Sequence, residues 1–388
     1  GYPLHIHNST AAIFSLSSTV SGANGMFRYF TMLAGIAFLL FAGTSLAQSP
    51  TDQQLYDSAC AGCHGEDGNG RSAEELAFET LPPEFSDCEF ASREPDPDWF
   101  AIIHEGGPVR AFDRMMPAFG DALTRDEMWA ILRHVRTFCA DDNWPRGEFN
   151  MPRPLFTEKA FPEDETVVTA TMDSGDSNAW EIEFLYEKRF GPRGMVEVSI
   201  PLAGNSYPGQ SSNTGIGDVA VGYKYALHHN LQTGNIFSVG IEGIFPTGDE
   251  NDGLGKGTTV IEPFIAYGRL LPNNMFFQTQ VLLEFPTESG FDDEVGVRMA
   301  LGKTFTSGGE FGRAWSPMIE VLAARDLSSG ADTNIDVAPQ MQVALNTRQH
   351  ILLNFGARIP ANNTSGRDTV WGVYLLWDWF DGGFFDGW

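Results

Sequence analysis

Basic residues are scarce in this chain: 24 Lys and Arg stand against 51 Asp and Glu, a formal net charge of −27. That balance excludes nucleic acid as a partner, because phosphate binding needs a basic footprint. The acid excess fits a solvated surface, acidic loops or a field that attracts cations. Long apolar runs are also lacking, and no segment after residue 47 is apolar enough to cross a membrane as a helix. The run that does exist, Phe30 to Ala42, follows Arg28 and precedes Ser45-Leu46-Ala47. It reads as a secretory signal over residues 26–47 with cleavage after Ala47. At well under the roughly 20 residues of a spanning helix, a membrane anchor is the weaker alternative. Residues 1–25 lack Met and any period, and read as an upstream segment outside the fold. Export without a helical anchor leaves the periplasm, the exterior or the outer membrane. The 388 residues suffice for two domains. Cysteine is sparse, with only four, and in an exported chain each is expected to be linked to something or paired.

Two of the four fall in "DSACAGCHGEDGNGRS". Cys60-Ala61-Gly62-Cys63-His64 is the attachment motif of a c-type haem. Two thiols at that spacing add to the two vinyl groups of one porphyrin edge, and the next residue sets its imidazole under the iron. A zinc ribbon would want a second close Cys or Cys/His pair, whereas Cys88 and Cys139 are isolated. A thioredoxin-like site would sit between a strand and a helix, which the flanks do not suggest. The segment "RMMPAFGDALTRDEMWAILRHVRTFC" supplies the opposite ligand. Met116, directly before Pro117, is the expected distal ligand and Met115 the alternate. Met opposite His raises the reduction potential toward electron-transfer values. A helix follows, with Thr124 as cap, Glu127 as the box partner, and Met128, Ile131, Leu132 and Val135 as its apolar stripe. His104 and His134 read as core or surface histidines.

The stretches "YDSACAGCHGEDGNGRS", "FAIIHEGG" and "MMPAFGDALTRDEMWAILRHVRTF" resemble the haem-motif helix, middle helix and ligand loop with C-terminal helix of a class I monohaem cytochrome c. The resemblance spans residues 48–144 and implies an all-α domain with one covalent haem c. It implies thioether links at Cys60 and Cys63, with His64 as proximal and Met116 as distal iron ligand. Cys88 and Cys139 stand outside that pattern and are a candidate structural disulfide.

Residues 145–164 are rich in Pro and charge and read as a linker of limited flexibility. From 165 to 388 the period becomes two. In "NAWEIEFLYEKRF", Trp180, Ile182, Phe184 and Tyr186 alternate with Glu181, Glu183 and Glu187. In "GDVAVGYKYAL", Val219, Val221, Tyr223 and Tyr225 alternate with Asp218, Gly222 and Lys224. Carried through about twelve strands, this pattern predicts an antiparallel transmembrane β-barrel with lipid outside and water inside. A soluble sandwich or lipocalin-like barrel would need the reverse arrangement, an apolar interior. The predicted strands begin near Thr166, Trp180, Val196, Gly217, Ile236, Thr259, Met275, Glu294, Pro317, Val337, Ile351 and Val370. Long acidic loops such as "PTGDENDGLGKG" fall at one end and short turns such as "FGPRG" and "LPNN" at the other. "HHNLQTGN" and "TSGGEFGRA" are longer than the turn pattern allows. The expected lumen residues are Glu181, Glu183, Glu197, Asp218, Glu242, Glu262, Glu284 and Glu320, with Lys224, Arg298 and Arg358 as counter-charges. The run "GIGDVAVGYKYAL" onward resembles the outer-membrane barrel family associated with phenol-degradation pathways, most of whose members are presumed channels or transporters.

The architecture is similar to outer-membrane cytochrome–porin fusions. Those fusions, however, carry a short haem segment in a larger barrel. Here a head of nearly a hundred residues is too large for a twelve-stranded lumen. One periplasmic haem outside the lumen cannot bridge about 30 Å of hydrocarbon, so a redox partner protein or a small electron donor is required. The leading expectation is an outer-membrane electron carrier, non-catalytic, with its head in the periplasm. The alternatives are a channel for a small solute or metal cation with the cytochrome as redox partner or gate, and an oxidoreductase for which the barrel is only an anchor.

Overall fold

The computed structural model describes residues 49–76, 81–175, 178–206 and 211–378. The expected signal at 26–47, the upstream segment and the closing "DGGFFDGW" lie outside the described residues.

The head is helical. Its longer helices are Asp52–Ala59, Asp96–Glu105 and Arg125–Val135, and its short ones are Ala61–His64, Ala73–Leu76 and Cys88–Ala91. The last long helix starts at a capping box: the Thr124 side chain accepts from Glu127 N at 3.3 Å, and Glu127 Oε2 accepts from Thr124 N at 2.8 Å. Its stripe of Met128, Ile131, Leu132 and Val135 is buried against Tyr56 and Phe100, each such side chain contributing roughly 1.5–3 kcal/mol. Cys88 and Cys139 form a disulfide with Cα atoms 5.2 Å apart, tying the helix after Asp87 to the end of the last helix.

Among the described residues there are fourteen strands, numbered β1 to β14 in chain order. Twelve close a ring: β1 (Glu165–Asp173), β2 (Trp180–Phe190), β3 (Gly194–Asn205), β5 (Val219–Asn230), β6 (Asn235–Phe245), β7 (Val260–Leu271), β8 (Met275–Pro286), β9 (Glu294–Lys303), β11 (Arg313–Asp326), β12 (Asn334–Ala344), β13 (Ile351–Pro360) and β14 (Val370–Asp378). Every neighbour pair is antiparallel. Closure comes from β14 on β1, in register from Glu165↔Asp378 to Asp173↔Val370, and from β9 on β11. The short β4 (Asn213–Ile216) and β10 (Phe305–Ser307) add to β3 and β11 within connections that the sequence presented as a loop and a turn. The outward face is apolar, with Phe184, Val221, Tyr223, Ile241, Ile319, Phe355, Trp371 and Leu375 exposed.

Residues 145–164 are not a free linker. After the turn Gly147–Phe149 the chain enters the lumen and runs through it as a plug. Phe149, Met151, Ala160 and Phe161 pack with inward Ala226, Ile236, Phe264, Phe276, Leu282 and Met318. On the other side the plug's backbone is satisfied by lumen side chains. Arg153 N donates to Gln342 Oε1 at 3.0 Å, Leu155 N to Gln340 Oε1 at 3.0 Å, Thr157 N to Glu320 Oε1 at 2.8 Å and Glu158 N to Gln280 Oε1 at 3.1 Å. A strand would pair this backbone with another strand. Three prolines among residues 150–162 rule out a regular ladder, so the buried N–H groups take side-chain acceptors instead. The expectation of a water-lined lumen is therefore corrected: part of the inward face is apolar and the polar positions there hold the plug.

Candidate functional site

The haem motif sits where the first helix breaks. Cys60 follows helix Asp52–Ala59, and Cys63 and His64 lie on the next turn, held by His64 N to Cys60 O at 2.9 Å. Gly65, at φ 75°, stops that turn in the left-handed region that favours glycine. Tyr56 donates its hydroxyl to Gly65 O at 2.7 Å, which pins the stop. Cys60 and Cys63 are unpaired thiols, in contrast to the bonded Cys88 and Cys139. Burial, then the neighbouring Cys63, push the Cys60 thiol up to about 12. The His64 ring stacks on Phe85 with centroids 4.7 Å apart. Burial lowers its pKa to about 4, so the imidazole is neutral, which is its ligating form. Its Nδ1 is buried without a hydrogen-bond partner.

The distal loop is folded back by two glycines. Gly106 has φ 82° and closes helix Asp96–Glu105, and Gly107 N then donates to Met116 O at 3.0 Å. Phe119 N and Gly120 N donate to the Ile103 and His104 carbonyls at 2.9 and 3.0 Å. Met116 is thereby half-buried and packed on the same apolar core as Cys60. Met115 is 47% exposed and is not part of that core cluster. His104 is engaged by Glu105 at 2.8 Å and by Phe311. His134 packs between Tyr56 and Phe138. Two unpaired thiols, a half-buried neutral imidazole with a buried, orphaned nitrogen, and a thioether on the same core form a donor set that fits a c-type haem.

The head does not enter the lumen. It docks on the short-turn end of the barrel. The longest turn there, between β9 and β11, puts Phe311 on the head's core, where the Arg110 guanidinium donates to Phe311 O at 2.9 Å and Arg125 pairs with Glu310 at 2.7 Å. The turn after β12 adds His350 to Glu94 at 2.9 Å and Arg348 over the Phe112 ring. At the plug's exit, buried Arg93 pairs with buried Asp164 at 2.7 Å.

Inside the lumen, Arg153 reaches Glu165 at 2.6 Å and Glu187 at 2.9 Å, Lys224 pairs with Glu158, and Lys159 with Glu163. Of the expected lumen residues, Glu197, Lys224, Glu262 and Glu320 are buried inside. Glu320 accepts from the plug, and Arg298 donates to Phe156 O at 2.8 Å. Arg358 packs over Phe156. Asp218 instead holds the loop between β6 and β7 through Gly248 N and Lys256 N. Glu284 pairs with Lys256, Glu183 accepts from Ser199, Glu242 is half-buried, and Glu181 is exposed. Arg153, Glu158, Lys159 and Glu163 escaped notice in the sequence because they lie in a Pro-rich segment that reads as solvated.

Residues 48–135 match the family model described as Cytochrome C oxidase, cbb3-type, subunit III, and residues 177–374 match the one described as Putative MetA-pathway of phenol degradation. No curated protein matches the chain. Among solved structures it is similar to an outer membrane channel from Pseudomonas putida F1, at 12% identity and TM-score 0.42, over 59% of this chain and 100% of that one. The NanC porin gives 10% identity and TM-score 0.39 over 55% and 100%, and the KdgM porin 10% and 0.36 over 55% and 99%.

Proposed function

Because this chain belongs to the family described as Putative MetA-pathway of phenol degradation, and carries a cbb3-type cytochrome c domain ahead of its barrel, we propose that it is an electron-transfer protein of the bacterial outer membrane. Its head faces the periplasm, on the short-turn side. The outward apolar face of a closed barrel supports the membrane reading. The observation that carries the redox reading is the donor set around His64: two free thiols and a neutral, half-buried imidazole stacked on Phe85. Cys60 and Cys63 would hold the porphyrin edge, and His64 and Met116 the iron. The haem supplies one-electron transfer, and no substrate-activating cluster stands beside the motif among the described residues. Met116 and His64 are both half-buried, His64 against the Phe85 ring and Met116 on the head's core, and two protein ligands to the iron suit a carrier and not a site of bond-making. The electron partner is a redox protein or a small donor reaching the head from the periplasm, since one centre cannot span about 30 Å of lipid.

The test is a redox titration of the haem on whole cells with membrane-impermeant reductants. Reduction only after the outer membrane is permeabilised is the expected result, and reduction in intact cells shows exchange with the exterior and counts against a purely periplasmic partner. Purified protein, matured with haem machinery, that lacks a c-type spectrum overturns the proposal. A second reading, a channel gated by the head, is favoured by one observation: Arg93 of the head grips Asp164 at the end of the plug. Conductance in a planar bilayer that changes with redox state supports it.

A further inference from the structure

Carboxylates stand directly opposite one another across the head-side strands of the lumen. Asp378 of β14 faces Glu165 of β1, Glu165 faces Glu187 of β2, and Glu187 faces Glu197 of β3. Like charges in opposed positions destabilise a sheet, so this row needs an offsetting cation. Arg153 and Lys159 meet part of that need at Glu165, and Lys159 also pairs with Glu163 of the plug. Neither forms an ion pair with Asp378, although Lys159 and His350 lie near enough to act on its charge. Its carboxylate is 8% exposed, its Oδ1 has no hydrogen-bond partner, and it joins no ion pair among the described residues. An unpartnered carboxylate in a buried site is costly.

Asp378 does not stand alone. One oxygen each from Glu163, Glu165 and Asp378 lies within 4.8 Å of the other two. Glu163 and Glu165 are 2% and 0% exposed. The three come from different places: the plug, the start of β1 and the end of β14, so the site exists only when the barrel is closed and the plug is in. Glu163 also borders a cavity of about 10 Å³ between plug and head, room for about one water. Three carboxylates with no sulfur or imidazole ligand among them, and a water-sized space beside Glu163, suit a hard divalent cation, Ca²⁺, Mg²⁺ or Mn²⁺.

We propose that Glu163, Glu165 and Asp378 bind one hard divalent cation at the head-side end of the lumen, locking the plug to the seam where β14 meets β1. The site is independent of the haem. The probe is Mn²⁺, added to the full chain purified in detergent after chelator treatment, and read by electron paramagnetic resonance and by metal retained after desalting. The expected result is about one Mn²⁺ per chain, bound at least tenfold more weakly in Asp378→Asn. Glu242→Gln, elsewhere in the lumen, keeps wild-type retention, and circular dichroism checks that each variant holds its sheet. The proposal is overturned if folded wild type retains no Mn²⁺, or if Asp378→Asn retains as much. Binding that appears only in Lys159→Met also overturns it, because the lysine ammonium is then the resident cation.

Discussion

Replacing Asp164 with Ala tests whether the head and the plug are one mechanical unit. Asp164 is 1% exposed at its side chain and accepts from Arg93 at 2.7 Å, Lys188 at 2.7 Å and the backbone of Arg189 at 3.1 Å. Arg93 is itself only 6% exposed, so losing this partner removes the buried half of its ion pairing and leaves the guanidinium with the exposed carboxylate of Glu89. Breaking one side of a buried pair costs about 3–5 kcal/mol, which is between about a hundredfold and a few thousandfold in the equilibrium for opening the joint at about 1.4 kcal/mol per decade. The plug leaves the lumen beside this joint. Its backbone amides at Arg153, Leu155 and Thr157, bonded to lumen side chains, should therefore exchange faster by a comparable factor. The assay is hydrogen–deuterium exchange on the full chain in detergent, followed by peptides across residues 150–164. The double variant Arg93→Met with Asp164→Leu removes both charges and should recover part of the protection. Exchange of the plug amides at the wild-type rate in Asp164→Ala would refute the reasoning, because the joint would then hold nothing.

Further outcomes follow from other contacts. Met116→Ala should lower the haem reduction potential and abolish the thioether-to-iron absorption band, while Met115→Ala, at an exposed position, leaves both unchanged in a spectroelectrochemical titration. Replacing Cys88 and Cys139 with Ser opens a loop with a sequence separation of 51 and should cost about 4 kcal/mol of head stability, read as a lower denaturant midpoint. Lys224→Met leaves the largely covered Glu158 with one cation fewer, and its expected cost of about 3 kcal/mol should show as easier protease cleavage of the plug. Deleting residues 150–160 removes the side chains that fill the lumen, so conductance in a planar bilayer should rise well above that of the intact chain.

The barrel was readable because its pattern repeats. Twelve predicted strand starts compare with Glu165, Trp180, Gly194, Val219, Asn235, Val260, Met275, Glu294, Arg313, Asn334, Ile351 and Val370. The differences lie at ends, where β11 begins four residues before Pro317 and β12 three before Val337. One departure from the turn pattern proved informative. "TSGGEFGRA" is too long for a simple turn because it carries Glu310 and Phe311 onto the head. The plug was not readable. Its prolines and charges look the same whether water or a barrel wall receives them, and only register reveals that Gln340, Gln342 and Glu320 face its amides.

Local chemistry and a period of two were enough, from the amino-acid order alone, to set out a head built for a thiol-linked haem and a ring of strands with an apolar exterior. Both are short-range signals: a motif of five residues and an alternation within each strand. What fills the ring, and how the head is seated on it, came only from the folded chain. Those contacts join residues as far apart in the chain as Arg153 and Tyr374 in the lumen and Glu94 and His350 at the head, and no local pattern encodes a meeting at that distance.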